Sequence, residues 1–279
     1  MDDFFQATPY RFASGVDEEE EEEEKKSETS RRNQRKSDPE EQEEAAAVQI
    51  VMVHRLSFDD QSVRAGFIRK VFALVTLMFA VTAGFSSVPI ISKDFAEWCH
   101  EYWWLTYVSM AVYFVFYLTL VCCQSIRRCF PCNLIVLTVF TLSAATMTMF
   151  ITAHYSVESV MIALLITTLC SASIIVFAAT TSKDLTSCLG IAFILGMCLI
   201  MFGLMTIIFV VVLQWYFLNI VYSALGALLC MFYLAIDVQM IMGGRRVEIS
   251  PEEYIFAATH VFVDILTMFF HILGVVGRN

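Results

Sequence analysis

The stretch CMFYLAIDVQMIMGGRRVEISPEEYIFAATHVFVDILTMFFHILGVV, residues 230–276, decides the fold. Two long apolar runs flank a polar link, Gly243 to Glu253, and each run carries one aspartate, Asp237 or Asp264. As helices, the runs match the hydrocarbon thickness of a bilayer. The short link makes them antiparallel neighbours. An ionised carboxylate in hydrocarbon is costly unless paired, protonated or facing water, so an acid inside a span is a functional candidate. Asp237 lies about 6 Å before the first run ends near Ile241, and Asp264 about 13 Å past Ile255, at ~1.5 Å per residue. A tilt or a longer cytosolic first turn narrows that gap. Facing carboxylates cannot both ionise cheaply, so such a pair holds one proton.

The link reads as a helix start. Ser250, Pro251 and Glu253 form S-P-x-E, with Ser250 as N-cap, Pro251 at the first helical position and Glu253 placed to close a capping box.

Working outward, 58% hydrophobic and 16% charged residues with a mean hydropathy of +0.66 exclude an ordinary soluble domain of 279 residues. The chain reads as an all-α integral membrane protein. Residues 1–66 carry 18 of the 28 acidic side chains and half of the 18 basic ones, so the net charge of −10 resides almost wholly there. Asp17 to Glu24 is unbroken acid, and such a composition buries too little apolar area to offset chain entropy, which makes 1–62 a disordered acidic tail. The acidic start has no signal-peptide core, so the first span doubles as the targeting signal.

Seven apolar segments of spanning length follow, at about 71–91, 103–123, 133–153, 159–179, 188–213, 217–241 and 254–276. Arg69, Lys70, Arg127, Arg128, Lys183, Arg245 and Arg246 fall on one side of the membrane, and Lys93 and Arg278 on the other. The basic side, with the N-terminal tail, is therefore expected in the cytosol, and Asn279 on the opposite side unless the last segment is re-entrant. Trp98, Tyr102, Trp103, Trp104, Trp215 and Tyr216 suit an interfacial belt. Ser223, Ala224, Gly226 and Ala227 suit close helix packing.

Other constellations carry weaker chemistry. His260, Asp264 and His271 share one helix face, a pattern open to a metal, although histidines in a multi-span core commonly just hydrogen-bond a neighbour. Cys122, Cys123, Cys129 and Cys132 surround Arg127 and Arg128, but only 129 and 132 have zinc-knot spacing; juxtamembrane thiols more often take palmitate or are simply buried. A disulfide framework is not expected from the nine cysteines. An intramembrane aspartyl protease would want Gly-x-Gly-Asp, whereas Val261, Phe262 and Val263 precede Asp264. No enzyme, cofactor, resident metal or nucleic-acid partner is expected.

Several separated motifs resemble the lifeguard branch of the Bax inhibitor (transmembrane Bax inhibitor motif) family. They are RAGFIRKVF (64–72), CCQSIRRCFPCN (122–133), TSKDLTSC (181–188), LAIDVQMIMGG (234–244), ISPEEYIF (249–256) and FVDI (262–265), so the likeness covers 64–279. The resemblance implies a seven-transmembrane-helix bundle with the last helix central. It implies a calcium leak pathway of internal membranes that dampens cell death, with calcium as the transported ion. In that family an aspartate pair shares a proton and gates the path with pH, and Asp237 and Asp264 match its two positions. An arginine at the cytosolic end of the second helix latches the closed state, for which Arg127 and Arg128 are the candidates. The endoplasmic reticulum or Golgi is the expected membrane, ahead of the plasma or lysosomal membrane. The tail departs from its relatives, being acidic rather than rich in Pro and Gly. The rival expectation is a non-conducting anti-apoptotic scaffold that binds death receptors or Bcl-type proteins.

Overall fold

The computed structural model describes the backbone of residues 39–277 and the side chains of residues 61–277. The chain divides into two units, Met1–Gln61 and Ser62–Asn279. In the first, the described backbone is helical from Pro39. The tail expectation over 1–62 thus meets a helix in its last part, where Glu40 to Ala47 is a run of strong helix formers. Residues 1–38 lie outside the described residues.

The described residues are built of helices. They are α1 (Pro39–Ile91, whose apolar part begins at Gln61), α2 (Lys93–Glu101), α3 (Leu105–Cys122), α4 (Gln124–Arg128), α5 (Cys132–Ala153), α6 (Val157–Thr180), α7 (Leu189–Leu213), α8 (Phe217–Met242) and α9 (Tyr254–Val276). Short 3-10 turns at Thr186–Cys188 and Pro251–Glu253 lead into α7 and α9. All seven expected apolar segments are helices long and apolar enough to cross a membrane, namely α1, α3, α5, α6, α7, α8 and α9. The protein is a multi-pass all-α membrane protein. The last of these helices has 23 residues and is about 35 Å long, enough to span.

In hydrocarbon every polar group needs an internal partner. Threonines in the spans meet this by bonding back to the carbonyl four residues earlier, as Thr82 does to Met78, Thr141 to Leu137, Thr148 to Ala144, Thr167 to Ala163 and Thr259 to Ile255. Their methyl faces remain free to pack.

The last helix is central because both large apolar clusters run through it. Ala257, Ala258, Val261, Met268 and Leu273 join residues of α1, α6 and α8, while Ile255, Phe262 and Leu266 join residues of α1, α3 and α5. Phe262 marks the crossing, with its ring 4.8 Å from Phe79 of α1 and 5.9 Å from Phe140 of α5. By contrast α7 leaves most of its side chains facing outward and rests on α8, where Tyr233 donates to the Ala192 carbonyl at 2.7 Å.

The small-residue patch on α8 is partly as expected. Ser223, Gly226 and Ala227 are buried, whereas Ala224 faces outward, because the packed stripe of a helix repeats every three to four residues. Gly226 lies directly beneath the His271 imidazole, which also meets Tyr222 edge-on at 5.4 Å, and no side chain fits at 226 without moving that ring. At the other end of the bundle from the α8–α9 link, Trp98, Trp103, Trp104, Trp215 and Tyr216 are exposed, as an interfacial belt requires.

Candidate functional site

Asp237 sits on the buried face of α8, 6% exposed, and Asp264 on the facing side of α9. Their carboxyl groups lie within hydrogen-bonding reach of one another. His260, one turn before Asp264, is the residue level with Asp237, its Nδ1 lying 3.5 Å from Asp237 Oδ2. Among the described residues no N–H or hydroxyl donates to Asp264 Oδ2, an atom shielded from solvent. A proton held between the two carboxyls satisfies what the protein otherwise leaves unpaired. With both carboxyls ionised, two like charges would stand side by side and repel. Tyr113 and Tyr117 of α3 and Cys230 and Tyr233 of α8 are near enough to sense the charge on Asp264.

One end of the bundle carries a second charged cluster. Glu253, at the head of α9, meets Arg127 Nε at 2.9 Å and Arg128 Nε at 2.8 Å, and accepts from Gln124 Nε2 at 3.2 Å. Arg127 also donates through Nη1 to the Leu120 and Val121 carbonyls, the unpaired C-terminal acceptors of α3, at 2.8 and 2.7 Å. Its guanidinium stands 4.6 Å from the centre of the Phe256 ring, and the same ring meets His260 at a 45° tilt with the ring centres 4.2 Å apart. Phe256 therefore touches both the arginine clamp and the imidazole beside the acid pair.

The link between α8 and α9 is tied down by polar contacts on its other side. Gly243 and Gly244 turn the chain at φ 76° and 70°, backbone that favours glycine, and the Arg64 guanidinium packs where a side chain at 243 would stand. Arg64 donates to the Ile249 carbonyl at 2.8 Å and pairs with Glu248 at 2.6 Å. Fully buried Gln239 accepts from the Leu185 amide at 2.7 Å and donates to the Lys183 carbonyl at 2.9 Å. Arg245 donates to the Ser182 carbonyl at 2.9 Å, and the Arg246 amide donates to Asp184 at 3.1 Å. The hydroxyl bond from Thr186 holds the Asp184 carboxyl below the usual carboxylate range, so this stitch is fully charged at neutral pH.

The family model described as Inhibitor of apoptosis-promoting Bax1 matches residues 64–279. The chain belongs to the Bax inhibitor family. On its lifeguard branch, this family member is 37% identical over 222 residues to mouse Protein lifeguard 3, covering 80% of this chain and 72% of that protein. The human Protein lifeguard 3 is equally similar, 37% over 223 residues with the same shares. The Golgi anti-apoptotic protein of vaccinia virus (strain Lister) is 27% identical over 213 residues, 76% of this chain and 84% of the viral one. The match begins at Arg64, so the acidic block lies outside it.

In this Bax inhibitor family member the residues singled out from sequence separate into two groups. Asp237, Asp264 and His260 come together; His271 does not, lying about 16 Å along α9 from His260 and packed against Tyr222 and Gly226. Among the described residues no three His, Cys, Asp or Glu side chains gather as metal ligands, and the metal reading of His260, Asp264 and His271 has no geometry behind it. The four-thiol zinc reading fails in the same way.

Arg127 and Arg128 meet the head of the last helix at Glu253. That pairing corrects the capping-box expectation. Ser250 has N-cap backbone geometry and Pro251 occupies the first turn, yet Ser250 makes no side-chain cap bond and the Glu253 carboxylate turns to two guanidiniums. Charge-assisted bonds outweigh one bond to a neutral amide. Sequence reasoning did not single out Arg64, Gln239 or Asp184. All three lie inside the motif stretches quoted above, and a glutamine two residues past Asp237 in an apolar run was the available signal.

Proposed function

We propose that this protein is a pH-gated calcium leak channel or slow transporter of an intracellular membrane, which lowers stored calcium and thereby restrains apoptosis. The observation that carries the reading is the pair of facing carboxyls at Asp237 and Asp264, with His260 against the first. The description of the family model, Inhibitor of apoptosis-promoting Bax1, and the name of the viral relative, Golgi anti-apoptotic protein, support the anti-apoptotic part, and the latter supports a Golgi membrane. The seven basic residues on the side of the α8–α9 link against two opposite favour that side, and the N-terminal tail, facing the cytosol.

In this mechanism the shared proton keeps α8 and α9 together. As pH rises the proton leaves, the two carboxylates repel, and the separated helices bare a hydrated acidic site of hard oxygen ligands suited to calcium. Acid returns the proton and closes the path. His260 takes up or hands on the proton beside Asp237. Arg127 and Arg128 hold the head of α9 through Glu253 and so set how easily it swings.

The test is calcium entry into liposomes holding the purified protein, followed from about pH 6 to about pH 8, the range over which a single shared proton shifts a gate by about tenfold per unit. Wild-type flux is expected to rise with pH, and Asp237→Asn or Asp264→Asn to flatten the profile, since a neutral pair has no repulsion to release. Equal silence of folded wild type and variants would remove the channel and leave the non-conducting scaffold, acting on death receptors or Bcl-type proteins. A second expectation concerns the tail. Deleting residues 1–60 leaves flux intact if the path is confined to the bundle, and loss of flux in that truncation refutes the confinement.

A further inference from the structure

The turn between α4 and α5 reads Cys129-Phe-Pro-Cys132. Cys129 caps the end of α4 and Cys132 opens α5. Both thiols are exposed and lie beside each other across the turn. Phe130 between them is 75% exposed. The other thiols lack this arrangement: Cys99 and Cys230 are buried, Cys170 and Cys188 half-buried, and Cys198 lies in the middle of α7. Cys122 and Cys123 are exposed but adjacent at the end of α3, which sets their side chains about 100° apart around the helix.

We propose that Cys129 and Cys132 form a reversible dithiol–disulfide site that exchanges with small-molecule disulfides of the glutathione type. Cys132, the thiol at the head of α5, attacks first. Its thiolate displaces one thiol from the reagent and forms a mixed disulfide. Cys129 then loses its proton and attacks the Cys132 sulfur, releasing the second thiol and closing the protein disulfide. Two protein thiols and one small disulfide become one protein disulfide and two small thiols, with two electrons passed to the reagent. In a reducing compartment the pair rests as the dithiol.

The site adjoins the clamp on the last helix. Arg128 immediately precedes Cys129, and the buried Asn133, immediately after Cys132, donates to the Arg127 carbonyl at 3.1 Å. Oxidation therefore ties together the two chain segments that carry and brace the arginines holding Glu253.

The experiment uses the full chain in lipid nanodiscs, equilibrated across mixtures of reduced and oxidised glutathione and read by differential alkylation and peptide mass spectrometry. Cys129 and Cys132 are expected to lose alkylation together in one two-electron step, with the 129–132 peptide two hydrogens lighter and the change reversed by excess reduced glutathione. A Cys122→Ser, Cys123→Ser double variant should oxidise like wild type, and Cys129→Ser should trap a glutathione adduct on Cys132. Continued alkylation of both thiols in excess oxidised glutathione, with helix content and elution unchanged, overturns the proposal. So does a disulfide that forms instead through Cys122 or Cys123, or between chains.

Discussion

Glu253→Ala is expected to destabilise the bundle by about 3–5 kcal/mol, the usual cost of stranding one partner of a buried ion pair. The side chains of Arg127 and Glu253 are 11% and 10% exposed, so solvent cannot replace the carboxylate. Arg127 would keep its two carbonyl partners on α3 but hold a full positive charge with no counter-ion. Arg128→Ala is the control, because its side chain is 46% exposed and a half-solvated pair is worth under about 1 kcal/mol. A combined Arg127→Met, Glu253→Leu variant should recover much of the loss, since apolar replacement removes both buried charges together. Unfolding by heat or by denaturing detergent in nanodiscs measures all three. Equal small losses for Glu253→Ala and Arg128→Ala would mean that water reaches the pair.

Gln239→Leu comes next, at about 2–3 kcal/mol. Leucine has nearly the same volume, so packing is kept and the effect isolates hydrogen bonding. The substitution strands the Leu185 amide and the Lys183 carbonyl, which meet the Gln239 side chain at 2.7 and 2.9 Å in the α6–α7 connection. An orphaned amide in a semi-buried turn costs its full desolvation, where replacing both partners would not. The readout specific to this cause is hydrogen exchange at Leu185, which should lose protection while the amides of α5 keep theirs. Unchanged exchange at Leu185 would show that another acceptor takes over.

Both sites lie in stretches whose character was visible in the residues but whose partners were not. Glu253 stands three residues after Ser250, a spacing that signals a capping box from local geometry alone. The guanidiniums that take its carboxylate come from Arg127 and Arg128, more than 120 residues earlier, and local spacing carries no trace of them. His260 is similar. Its spacing to Asp264 and His271 suggests one face of one helix, while its nearest titratable neighbour is Asp237 on α8. His271 shares that face in projection but stands three turns away along the axis, beneath Tyr222.

By itself the sequence determined the class of solvent and the number and extent of the spans. Those follow from the length of each apolar run and the burial cost of a bare backbone, both local properties. It also determined that Asp237 and Asp264 needed an explanation, because charge in hydrocarbon is costly wherever it falls. Tertiary structure decided the rest. How far α9 starts beyond the end of α8 sets which residue stands level with Asp237, and that depends on the turn at Gly243 and Gly244 and on the contacts of Arg64 and Gln239 with distant chain. Pairing of Glu253 with Arg127 depends on α3 and α9 lying side by side. Partners that distant are chosen by helix packing, which no window of sequence contains.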